Sequence, residues 1–245
     1  MIIDKTPKER AVLMARLSNL SYNNNYNFTP EFKFDSIFID RHDSELYVLY
    51  DATDIIVVCR GTQFDQLADL LTVLDTNLVH SKYSTGRIHE GFKNSVDDVW
   101  VDLADILSRL NNRQVWLTGH SLGAAMATEI ANRCSKLVGV SLPILYTFGS
   151  PRVGDYAYIS DLSSHNIEHH RWVNNADIIT RNPIFPYHHH GILHYFDHHG
   201  KVAALTFLQI GKDRVKGIMC GLTKGKVSFI IDHGIDQYIK NLEKM

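Results

Sequence analysis

Cysteine is scarce in this 245-residue chain: Cys59, Cys134 and Cys220 are an odd number with no Cys-x-x-Cys spacing. That excludes a disulfide framework or a cysteine metal site as the organising principle, and the three read as reduced core residues. Runs of lysine and arginine are missing too, and the formal charge is −2. Without clustered positive charge the chain has no footprint for nucleic acid or for an anionic membrane. Nowhere do about 18 apolar residues run uninterrupted, so no membrane-spanning helix is expected. The stretch Met1 to Pro7 lacks the charged start, apolar centre and small-residue cleavage site of a secretory leader. Residence inside its own cell is the resulting expectation, with export by another route left open.

What is present is a large apolar fraction, 44% against 21% charged, enough for one sizeable core. With no internal repeat and no low-complexity linker, residues 1–245 read as a single domain. Thr6-Pro7-Lys8-Glu9 has capping-box spacing with proline at the first helical position, and Val12, Leu13, Leu17 and Leu20 follow at helical spacing. An opening amphipathic helix follows from that pattern. From Phe34 to Arg60 the texture turns β-branched and aromatic, in three runs broken by Asp-rich turns, which predicts three strands, the first two a hairpin. Helical periodicity from Val96 to Leu110, a strand over Gln114 to Thr118, an alanine-rich helix and a strand over Ile144 to Phe148 come next. Such alternation implies an α/β fold with a mostly parallel sheet covered by helices on both faces.

At one seam of strand and helix stands Gly119-His120-Ser121-Leu122-Gly123. By composition a Gly-x-Ser-x-Gly pattern arises by chance in roughly one chain in ten of this length, so its context decides its meaning. Here an apolar run precedes it and an alanine-rich helix follows, the surroundings of a turn that lifts a serine hydroxyl above a sheet. A serine hydroxyl becomes a useful nucleophile when a histidine takes its proton and a carboxylate holds that histidine, in the chain order Ser, Asp or Glu, His. Asp177, where the run Arg171 to Val173 gives way to polar residues, suits the carboxylate, with Asp155, Asp161, Glu168 and Asp197 as competitors. His233 suits the histidine, between a strand-like Val227 to Ile231 and a terminal helix Ile235 to Leu242. His188, His189, His190, His194, His198 and His199 form the competing pool.

Further stretches are Val58-Cys59-Arg60-Gly61-Thr62, Ile88-His89-Glu90-Gly91-Phe92, Thr147-Phe148-Gly149-Ser150-Pro151-Arg152-Val153-Gly154, Asn174-Asn175-Ala176-Asp177, His190-Gly191 and Asp232-His233. With them the chain resembles the class 3 lipases, the fungal-type triacylglycerol lipase and plant phospholipase A1 group of α/β-hydrolases, over about two thirds of its length. The resemblance implies Ser121 as nucleophile, Asp177 as the acid that orients the base, and His233 as base and acid. It also implies an oxyanion hole from Thr62 and the backbone N–H of Leu122. The activity it implies is hydrolysis of lipid carboxylic esters with no metal or cofactor. Phospholipase A1 action or acyl transfer through the same three residues, and a non-catalytic lipid-binding module, are the alternatives. The partner implied is a lipid ester, met in transient contact with a lipid interface, and no protein partner.

Phe64, Leu67, Leu71 and Leu74 lie at helical spacing, and in the resembled family the corresponding helix is a lid, placed here at about residues 63–80. Either a lid or a permanently packed helix would bury that face. Asp65, Gln66 and Asp69, with no tryptophan nearby, depart from the family pattern and argue against strong interfacial activation. The histidines of residues 188–199 lack a His-Glu-x-x-His motif or cysteine partners, so they read as a polar, partly exposed segment whose charge changes between about pH 5 and 8 rather than as a metal site.

Overall fold

The computed structural model describes residues 1–23, 27–28, 32–61, 77–223 and 228–245 of the chain. The capping box at Thr6 opens helix α1 (Pro7–Leu20): Thr6 Oγ1 accepts from Glu9 N at 3.3 Å while Thr6 N donates to Glu9 Oε2 at 2.8 Å. The hairpin β1 (Asp35–Arg41) and β2 (Ser44–Tyr50) follows, then β3 (Asp54–Cys59), every residue of which is buried. A two-stranded ribbon, β4 (Leu78–His80) and β5 (Arg87–His89), leads into α2 (Glu90–Arg109). Then come β6 (Gln114–His120), α3 (Leu122–Cys134), β7 (Ile144–Phe148), α4 (Tyr156–Ser164), β8 (Glu168–Asn174) and β9 (Ile192–Phe196). The chain closes with α5 (Phe207–Leu222), a single turn α6 (Ser228–Ile231) and α7 (Ile235–Glu243).

Seven strands form one sheet in the order β1-β2-β3-β6-β7-β8-β9. The first two pairings are antiparallel and the remaining four parallel, the mostly parallel α/β sheet expected from the alternation. One face packs Val57, Leu117 and Leu145 against α2 and α3, and the other packs Val58, Trp116 and Tyr146 against α1 and α7. Because β3, β6 and β7 are covered on both sides, they carry near-continuous apolar runs rather than alternation.

The structure corrects three local expectations. On α1 the buried face is Ala11, Met14, Ala15, Leu17 and Ser18, with Val12, Leu13 and Leu20 at its margin. Small residues let the helix approach the sheet closely enough for Ser18 Oγ and Thr118 Oγ1 to meet at 3.0 Å. Residues 228–231 form a helical turn, not the end of a strand; a run of β-branched and aromatic residues that short has no period to tell the two apart. Cys59 and Cys134 are free and buried as expected, whereas Cys220 is free and exposed on α5. The expected lid region of 63–80 falls outside the described residues except for its end, where Leu78–His80 is a strand paired with Arg87–His89. Among the described residues no helix is long and apolar enough to cross a membrane.

Between α2, α3 and α4 lies a buried charge network. Arg133 Nε donates to Glu129 Oε1 at 2.8 Å, with both side chains 2% exposed or less, and Arg133 Nη2 reaches Asp97 Oδ1 at 2.7 Å. Glu129 Oε2 accepts from Tyr158 Oη at 2.6 Å, and the Arg133 guanidinium lies 4.7 Å over the Tyr83 ring. Removing one partner strands the other charge in a medium that cannot solvate it. Arg133→Met is therefore expected to lower the unfolding free energy by about 3–5 kcal/mol, read from urea denaturation; a loss under about 1 kcal/mol would mean that the pair contributes nothing net.

Candidate active site

The carboxyl ends of the parallel strands carry the site. β6 ends at His120, and Ser121 follows with φ 59° and ψ −127° before α3 begins. A positive φ at a residue with a side chain costs about 1–3 kcal/mol and persists when the surroundings over-determine it. They do: a Cβ at Gly119 would stand 2.3 Å from the Gly123 carbonyl oxygen, and one at Gly123 would stand 2.2 Å from that of Cys59. Strand and helix can therefore close on each other only through the two glycines. Ser121 N donates to Phe148 O at 3.1 Å, which fixes the turn to the end of β7. The Leu122 N–H is the first of α3, without an acceptor inside the helix, and lies at the helix's positive end.

Asp177 lies three residues beyond β8, fully buried, and His233 lies between α6 and α7. The structure brings both to the serine: His233 Nε2 is 2.9 Å from Ser121 Oγ, and His233 Nδ1 is 3.0 Å from each Asp177 oxygen. Two ties locate the His233 segment, Asn174 Nδ2 donating to Asp232 O at 2.9 Å and Ala176 N donating to Asp232 Oδ2 at 3.2 Å. Asp177 Oδ1 also accepts from Ile179 N at 2.9 Å, and Oδ2 accepts from Tyr238 Oη at 2.6 Å. Burial pushes the Asp177 carboxyl up, but the charge and hydrogen bond of His233 with the hydrogen bond of Tyr238 outweigh it and hold the group below its ordinary value. Burial, then the neighbouring carboxylate, pushes the Tyr238 phenol well above its ordinary range, so it remains a donor. Tyr238 was not legible in the sequence: an aromatic in the first turns of an amphipathic helix looks like core.

The competing carboxylates are occupied elsewhere. Asp155 caps α4 and pairs with Arg87, Asp161 sits 3.6 Å from Lys136, Glu168 bonds His170 at 2.7 Å, and Asp197 accepts from its own turn. Of the competing histidines, His198 pairs with Asp213, His189 with the Thr180 carbonyl, His190 with His169 and His194 with His170. The expectation that this segment changes charge between about pH 5 and 8 fails for three of its members. Burial and then Arg171 hold His189 well below its ordinary value and His190 down to about 4; burial, then His170 and Arg171, hold His194 down to about 4. Thr62, the expected second oxyanion donor, lies outside the described residues. Among the described residues no three His, Cys, Asp or Glu side chains gather as a metal site requires.

The family model described as Lipase (class 3) matches residues 56–187, a stretch that holds Ser121 and Asp177 and ends before His233. A lipase of Rhizomucor miehei is 33% identical over 139 residues, 53% of this chain and 37% of that one. A secreted mono- and diacylglycerol lipase of Malassezia restricta is 32% identical over 80 residues, 31% of this chain and 27% of that one. The chain thus matches about a third of the length of these curated relatives. A solved triacylglycerol lipase, its catalytic centre described as a serine protease triad, aligns over 94% of each chain with TM-score 0.69 at 22% identity, a likeness of fold.

Half-buried Asp232 gives the site a pH signature. Burial raises its carboxyl from 3.8 to about 6, with the Ala176 N–H opposing and the Asp177 charge adding to the rise. Between those two values the folded chain holds a proton that the unfolded chain has lost, so the stability owed to this group falls as pH rises from about 4 to about 6. Asp232→Asn is expected to remove that decline. Urea midpoints of both proteins across the interval check it, and parallel lines would show that Asp232 titrates normally.

Proposed function

The chain belongs to the class 3 lipase family, and on that premise we propose that it hydrolyses carboxylic esters of lipids through an acyl-serine intermediate. The observation that carries the reading is the line Ser121 Oγ, His233 Nε2, His233 Nδ1, Asp177, with gaps of 2.9 and 3.0 Å. An ionised Asp177 accepts from Nδ1–H, leaving Nε2 with the lone pair that takes the serine proton.

In the acylation step Ser121 Oγ attacks the ester carbonyl carbon as its proton passes to His233 Nε2. The carbonyl oxygen becomes an oxyanion that accepts from the Leu122 N–H, with Thr62 as the second donor, the two that the family resemblance implies. Collapse of the tetrahedral intermediate breaks the bond to the alcohol oxygen, which leaves with the proton from Nε2. Water then repeats the sequence on the acyl-serine: its proton goes to Nε2, its oxygen to the carbonyl carbon, and the fatty acid departs as Ser121 regains its hydrogen. The imidazolium formed in both steps is stabilised by Asp177, whose negative charge is held by Tyr238 and the Ile179 N–H. Acylglycerols are the proposed substrates, in keeping with the relatives named as lipases and as a mono- and diacylglycerol lipase.

Hydrolysis of a p-nitrophenyl ester series, short to long acyl, measured below and above the aggregation concentration, tests the reading. Ser121→Ala is expected to lose about three orders of magnitude or more in kcat with its thermal unfolding unchanged, and Asp177→Asn about 10⁴. Undiminished hydrolysis by Ser121→Ala would remove the serine from the mechanism.

A further inference from the structure

His120, the residue between Gly119 and the serine, is buried, and its ring centroid lies 4.5 Å from that of His233. Its Nε2 stands 2.7 Å from the main-chain carbonyl oxygen of His233, and its Nδ1 stands 2.7 Å from the Tyr22 hydroxyl. A carbonyl can only accept, so Nε2 must carry the hydrogen. In the neutral ring that leaves Nδ1 as an acceptor, which the Tyr22 O–H satisfies. Every polar atom of the chain Tyr22, His120, His233 carbonyl thus has one direction of donation available to it.

We propose that His120 is a positioning residue: aimed by Tyr22, it donates to the His233 backbone carbonyl and so sets where the His233 imidazole stands between Ser121 and Asp177. The inference rests on the hydrolase reading above. The two Asp232 ties hold the His233 segment to the end of β8, and neither reaches His233 itself. The His120 bond does, and it comes from the residue adjacent to the nucleophile, so base and nucleophile are referenced to the same turn. Gly61, just past β3, lies against the same two residues. A Cβ at Gly61 would fall 2.4 Å from the His120 carbonyl oxygen and 2.5 Å from the Tyr22 hydroxyl.

The arrangement requires a neutral His120, because a second positive charge beside His233 would oppose the imidazolium that forms in both chemical steps. Burial and then the charge of His233 hold His120 down to about 3, and burial keeps the Tyr22 phenol protonated well above its ordinary range. His120 is therefore neutral and the Tyr22 phenol protonated at neutral pH.

The test compares His120→Phe, His120→Asn, His120→Gln and Tyr22→Phe with wild type, by steady-state kinetics on a short soluble ester and by the rate at which a fluorophosphonate labels Ser121. Misplacement of a catalytic group by about 1 Å costs up to about 10²-fold. His120→Phe is expected to lose about 10- to 100-fold in kcat and in labelling rate with KM within about twofold. Glutamine places an amide N–H where Nε2 stood and is expected to recover most of that loss, whereas asparagine, too short to reach, is not. Tyr22→Phe, which changes no shape, is expected to lose about threefold to tenfold in kcat. The proposal is overturned if His120→Phe keeps wild-type kcat and labelling, or if the glutamine and asparagine variants fall alike, as loss of packing alone would have it. Should His120→Phe not fold, the glutamine–asparagine split and Tyr22→Phe decide the matter. Failure of wild type itself to turn over ester or label at Ser121 takes down the hydrolase reading and this proposal together, a result distinct from either of the others.

Discussion

The site hangs on a backbone contact with no room in it, Gly119 against Gly123 and Gly123 against the Cys59 carbonyl. Because β6 and α3 meet this closely, the chain turns through Ser121 at a positive φ. The strain is local and its compensation is spread over the sheet: the Phe148 carbonyl holds the serine N–H, and β3 and β7, both buried on two faces, hold β6 in register. The hydroxyl is thus presented from the middle of the sheet, between two strands buried on both faces. A residue on a flexible loop could reach the same point but could not be kept there against the cost of its own backbone angles.

The partners of the serine come from segments far apart in the chain, and electrostatics decides how they are held. Asp177 is fully buried, and a bare carboxylate there would take up a proton. Three donors, His233, Tyr238 and the Ile179 N–H, keep it ionised. Asp232, next to His233 in sequence and also shielded from water, has one backbone N–H and rises toward neutrality instead. Two aspartates within one region therefore ionise at different pH, Asp177 below its ordinary value beside His233 and Asp232 above it through burial.

How far the sequence disclosed this follows from the range of each interaction. Elements set by local pattern were legible: the capping box at Thr6, the hairpin of β1 and β2, the alanine-rich helix after the serine. Ser121 was legible because the glycines that permit it are two residues away on either side. Asp177 and His233 were legible only as candidates among others, and the family resemblance selected them. No spacing rule links residues 56 and 112 positions apart. Short apolar segments misled, and residues 228–231 turned as helix where a strand was expected. The histidines of residues 188–199 misled for a different reason: their composition suggested solvent and titration, while burial beside Arg171 keeps His189 and His190 neutral.

Tyr238, His120 and Tyr22 were hidden because each looks like something ordinary, a core aromatic, a variable motif position, a residue just past a helix end. What distinguishes them is where each spends a polar atom: Tyr238 on Asp177, His120 on the backbone carbonyl of His233, and Tyr22 on His120. A buried hydroxyl or ring nitrogen must find a partner, and in a packed interior the partner constrains both residues. A polar atom that bonds Asp177 or the His233 backbone therefore limits where that group can stand. Packing alone would hold the helices and strands of this fold together, but packing is non-directional; the His233 imidazole bonds Ser121 and Asp177, its backbone carbonyl bonds His120 on β6, and Asp177 and His120 are bonded in turn by Tyr238 on α7 and Tyr22 just past α1.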